Sequence, residues 1–155
     1  MKYKFLAFLL AVSNSSFVHS QTIATCSNPQ GYAFHHYHGL VKKEDSGFLK
    51  DGINNGTFTF VKLDSGEYDV LLMDATKRVF SLKQDGGKIF HFRSSSRDVT
   101  FIHANLALEV YTLWVDKNGS AFFDLLQSKG GVEAPIHKSS LMVGKCDFIN
   151  FSAIK

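Results

Sequence analysis

The chain has 155 residues, 45% of them apolar, and carries 17 Lys and Arg against 14 Asp and Glu, a formal net charge of +3. That length suits one domain around one core. A balance so close to neutral gives no long-range field for nucleic acid or anionic lipid, and no run of Lys or Arg exceeds a pair, so nucleic-acid binding is not expected.

Residues 1–20 have the form of a signal peptide. Lys2 and Lys4 precede an apolar run from Phe5 to Val12, and Val18-His19-Ser20 offers residues that a signal peptidase tolerates. Cleavage after Ser20 leaves a single β-rich domain, 21–155, with 15 basic and 14 acidic residues and a net charge of +1. A membrane anchor would need roughly 20 apolar residues, and Asn14, Ser15 and Ser16 interrupt the run too early. No later segment is long and apolar enough to span a bilayer, so no membrane span is expected.

Cys26 and Cys146 are the two cysteines. In an oxidising compartment they most simply pair. Ile23-Ala24-Thr25-Cys26 faintly resembles a lipoprotein cleavage site, but Thr is a poor residue before a lipidated Cys, and lipidation would orphan Cys146.

Next comes Gly31-Tyr-Ala-Phe-His-His-Tyr-His-Gly39. Read as a strand over Tyr32–His38, its side chains alternate between two faces. His36 and His38 then share a face with Tyr32 and Phe34. Two imidazoles at i and i+2 could sit on one zinc or copper ion, with further ligands from His91, His103, His137 or a carboxylate. An exposed strand face carrying ordinary polar rings explains the same pattern. Asp45 to Asp51 is the best candidate for a helical turn.

From Thr57 onward, apolar stretches alternate with turn signals every ten to twelve residues. Strands are predicted at Thr57–Leu63, Glu67–Met73, Arg78–Lys83, Lys88–Arg93, Asp98–His103, Leu108–Val115, Ser120–Leu126 and Leu141–Phe151. Asn118-Gly119 is a favoured type I′ hairpin pair. The links are too short for crossover helices, which makes the sheet antiparallel. The expected fold is all-β, an antiparallel meander of about eight or nine strands, forming a closed barrel or a barrel-like sandwich. A disulfide joining the first strand to the last fits closure.

Catalytic motifs are missing. There is no G-x-S-x-G elbow and no H-E-x-x-H pattern. Glu67 and Asp69 would share a strand face and could act as an acid–base pair, but a solvated face explains them equally well. Strands such as Leu108–Val115 are apolar on both faces. Such strands either line an apolar cavity, fill a small core, or present an outer face to a partner. Trp114, Tyr111 and Phe123 are the candidate ligand contacts. The expectation is an exported, non-enzymatic binding protein for a small apolar molecule or a protein partner. The alternative is a metal-binding or metal-dependent protein built on His36 and His38. Specificity is expected on the loops Lys42–Gly56 and Gln127–Ser140.

Glu109-Val-Tyr-Thr-Leu-Trp114, Gln127-Ser-Lys-Gly-Gly131 and Lys138-Ser-Ser-Leu-Met-Val-Gly-Lys-Cys146 resemble segments of a group of small exported bacterial proteins of uncharacterised function. The resemblance covers most of the chain after residue 20. It implies a periplasmic or secreted bacterial setting and transfers no catalytic residue.

Overall fold

The computed structural model describes residues 20–93, 95–131 and 134–154. The expected signal peptide therefore lies outside the described residues, apart from Ser20. Ten strands form one antiparallel sheet: β1 Ser20–His35, β2 Gly47–Gly52, β3 Thr57–Leu63, β4 Tyr68–Met73, β5 Val79–Ser81, β6 Lys88–Phe92, β7 Asp98–Ala104, β8 Ala107–Val115, β9 Ala121–Lys129 and β10 Lys138–Ile149. Their order is β5-β4-β3-β1-β10-β9-β8-β7-β6, with β2 added to β1. The expected all-β antiparallel meander is present, and it curls into a barrel-like half-barrel.

The first and last strands pair at the middle of this sheet. β1 is long enough to serve two neighbours on one side: its first half pairs with β3 and its second with β2. On its other side it pairs with β10, and Cys26 lies opposite Cys146, the two joined as a disulfide with Cα atoms 3.8 Å apart.

The core fills the concave side. Ile23, Phe58, Phe60, Val70, Val99, Phe101, Tyr111, Leu113, Phe123, Leu125 and Met142 are all buried there. They come from alternating positions, as a one-sided sheet requires. Phe58 and Phe60 on β3 meet Phe123, Tyr111 and Phe101 from the opposite wall, with ring centroids 5.3–5.9 Å apart. Gly144 on β10 makes room for this: a Cβ there would stand 2.2 Å from the Phe123 ring.

Hydrogen bonding does not run on from β5 to β6. Side chains span that seam, with Tyr68 and His91 rings 4.4 Å apart. The C-terminal 3-10 turn, Phe151–Ala153, covers one end, where Ala153 and Ile154 are buried. Arg93 donates to the carbonyls of Phe151 and Ile154, and Lys62 donates to Ala153.

Three local expectations differ from the structure. Asp45–Asp51 is not helical: a 3-10 turn occupies Lys43–Asp45 and β2 begins at Gly47. A free stretch of β1 beyond the end of β3 offers backbone partners that outweigh weak local helix propensity. The 116–120 hairpin is not type I′. The Gly119 amide donates to the Asp116 carbonyl, which makes Lys117 and Asn118 the central residues. Neither has positive φ, Gly119 follows them at φ 86°, and the Asp116 carboxylate caps the turn by accepting from the amides of Asn118 and Ser120. The strand expected over Tyr32–His38 ends at His35.

Candidate functional site

Because β1 stops at His35, the alternation that would align His36 with His38 does not extend to them. His36 is exposed and sits edge-on to Phe34, centroids 4.8 Å apart. His38 stacks on His137 at 3.9 Å and 26°. The loops carrying them are held together by backbone bonds from His36 to His137 and from Leu40 to Pro135. The His137 Nε2 lies 2.6 Å from the Gly131 carbonyl, so it is the protonated nitrogen and donates there. Among the described residues, no group of three or more His, Cys, Asp or Glu is placed to hold a metal ion.

The three aromatic candidates are not brought together. Tyr111 and Phe123 lie in the core, both almost fully buried. Trp114 points to the other side of β8, half-buried, with its indole stacked on Phe122 at 4.9 Å. Its Nε1 is buried and has no hydrogen-bond partner among the described residues. One polar cluster interrupts the apolar interior. His103, Glu109 and Gln127 stand directly opposite one another on β7, β8 and β9. The Glu109 carboxylate accepts from the Tyr111 hydroxyl at 2.6 Å and from the Gln127 amide, and it lies 3.1 Å from His103 Nδ1. Burial first, and the Glu109 charge second, hold the Tyr111 phenol well above its usual range near 10. His103 Nε2 is sealed beneath Gly87, where a Cβ would approach to 2.0 Å, and it has no hydrogen-bond partner among the described residues. The cluster fastens three strands to one another.

The convex face carries the less expected feature. Phe90 pairs with Ile102, Ile102 with Val110, Val110 with Leu126, Leu126 with Leu141, and Leu141 with Tyr32. All six side chains project away from the core, so one uncharged row crosses six strands. Phe90 is 52% exposed, Leu126 49%, Leu141 53% and Tyr32 60%. Leu108, Val143 and Phe92, two residues along from members of the row, are also about half exposed. Seven half-exposed side chains of this size offer on the order of 600 Å², the upper end for an apolar patch on a monomer. Lys88, Asp124 and Lys145 mark where charge resumes on either side. A shallow depression of about 680 Å³ adjoins the Tyr32 end, lined by Gln30, Gly31, Tyr32, Lys50, Asp51, Gly52 and Asn54.

Sequence reasoning found strands apolar on both faces but not this row, because the row exists only once the register of six strands is known. No helix of the described residues is long and apolar enough to cross a membrane. No protein-family model, curated protein or solved structure matches the chain.

Proposed function

We propose that the chain is an exported, non-enzymatic binding protein whose partner is another protein, taken up on the outer face of the sheet. The row from Phe90 through Leu126 and Leu141 to Tyr32 carries this reading. Burying such a row is favourable by roughly 25 cal/mol per Å² before the costs of association. The filled interior weighs against the small-molecule version, since Phe58, Phe60, Phe101, Tyr111 and Phe123 occupy the space a ligand would need. The surface is convex, so the fitting partner has a concave or pliable apolar surface that follows the curve. Export is supported by the Cys26–Cys146 disulfide together with the leader-like segment before Ser20.

A photo-crosslinking residue in place of Leu126, in cells that export the protein, tests this. Trapping of one defined protein, absent when the probe replaces exposed Ser65 and lost when Val110→Lys is added, supports the reading. Equal trapping at both positions, or none at Leu126, overturns it. A small molecule retained stoichiometrically in native mass spectra would replace it with the interior-ligand alternative.

A further inference from the structure

The chain also carries an unguarded sheet edge at β2. Its ladder to β1 fixes which backbone groups are used. Ile53 donates to Pro29, and Gly31 faces Asp51, Ala33 faces Leu49 and His35 faces Gly47. Antiparallel ladders alternate, so residues 47, 49 and 51 bond to β1 while 48, 50 and 52 turn their amides and carbonyls away. The Gly52 amide confirms this by donating to the Asp51 side chain. Phe48 and Lys50 keep both outward groups without a partner among the described residues. Phe48 is 80% exposed, its ring held edge-on to Phe34 at 5.0 Å. The remaining edges are less open. β5 has three residues, and β6 is packed at His91 against Tyr68 and followed by the Arg93 clamp.

We propose that β2 pairs with β2 of a second copy of this chain, antiparallel about a two-fold axis through Leu49, joining two sheets into one. The strand's sequence is self-complementary in that register alone. With Leu49 opposite the partner's Leu49, Phe48 faces the partner's Lys50 and Lys50 faces the partner's Phe48. The outward groups of both residues then form four backbone hydrogen bonds. Each ammonium meets an aromatic ring and the two leucines meet on the other face. Moving the axis to residue 50 sets lysine against lysine. Moving it to residue 48 sets Lys50 against Ser46, whose amide already donates to Lys43. A shift by one residue swaps the faces. A two-fold contact uses the same patch twice, which a self-complementary strand satisfies. The edge abuts the Tyr32 end of the outer apolar row, where Lys50 stands opposite Tyr32. It pairs through the backbone of β2, which is no part of that row, so either assignment stands if the other fails.

Sedimentation equilibrium on the purified protein decides it. The expected result is a reversible monomer–dimer equilibrium. Lys50→Pro removes an amide that points away from β1, so it leaves the β1 ladder in place and is expected to give a monomer. Phe48→Lys sets lysine against lysine with the backbone intact and is expected to weaken the dimer at least about tenfold. Phe48→Glu creates an ion pair in the same register and is expected to retain it, more weakly at high salt. Leu49→Cys is expected to form an intermolecular disulfide on mild oxidation, because the axis places two copies of residue 49 directly opposite. A wild-type monomer at the highest soluble concentration overturns the proposal. So does a dimer indifferent to both Lys50→Pro and Phe48→Lys, or a Leu49→Cys protein that dimerises without cross-linking.

Discussion

Along β8, Tyr111 and Leu113 turn into the core while Val110, Thr112 and Trp114 turn out, and both sets are largely apolar. The same contrast runs across β9 and β10: Phe123, Leu125 and Met142 are enclosed, whereas Leu126, Leu141 and Val143 face solvent. What separates the two faces is company rather than residue type. Inner rings interlock with the opposite wall at 5–6 Å. The outer side chains of the row face solvent instead. A side chain with no facing wall contributes little to stability.

Substitutions can set the two faces against each other. Phe123→Ala should have the largest effect, about 3–5 kcal/mol in denaturant titrations, because Gly144 cannot fill the space it leaves. Removing the inner-face disulfide as Cys26→Ser with Cys146→Ser should cost about 2–5 kcal/mol, since it closes a separation of 120 residues. Glu109→Ala should cost about 1–3 kcal/mol, chiefly by orphaning the buried Tyr111 hydroxyl.

The Tyr111 phenol sharpens the contrast further. Its folded value is raised, so its contribution is complete below the unfolded value near 10 and is lost as pH climbs above it. Alkaline unfolding curves of Tyr111→Phe should lack that decline. Leu126→Ser, on the outer face, should change stability by no more than about 0.5 kcal/mol while abolishing partner cross-linking. A loss comparable to Phe123→Ala would mean that the outer row is structural.

Much of the fold was legible because it follows from alternation. Thr57–Leu63 and Asp98–His103 show the period of two that buries Phe58, Phe60, Val99 and Phe101, and their hairpin spacing leaves only an antiparallel meander. β2 was hidden because Gly47 and Gly52 bracket a mixed sequence, Phe-Leu-Lys-Asp. It is a strand because β1 extends past β3 and offers it an edge. The end of β1 was hidden as well. The chain turns away at Gly39, whose φ of 59° brings its backbone against the Pro135 carbonyl, a contact that depends on a loop almost a hundred residues later. His103, Glu109 and Gln127 look unrelated in sequence and become one cluster only when three strands are in register. Tyr111, Phe123 and Trp114 stand out in the sequence as large aromatic rings. Period-two alternation already separates Tyr111 from Trp114, and it is register that places Phe123 inside.

The pairing of β1 with β10 at the middle of the sheet has a consequence in time as well as in space. β1 is made early, yet one whole side of it has no partner until the chain has advanced some 120 residues, the separation of Cys26 from Cys146. Contacts so distant in sequence slow folding, because their loop must close before they reward it. During that interval β1 and its neighbours present an open hydrogen-bonding edge beside exposed phenylalanines. Until its final strand arrives, a chain with this topology carries an open edge of the kind that pairs with other copies.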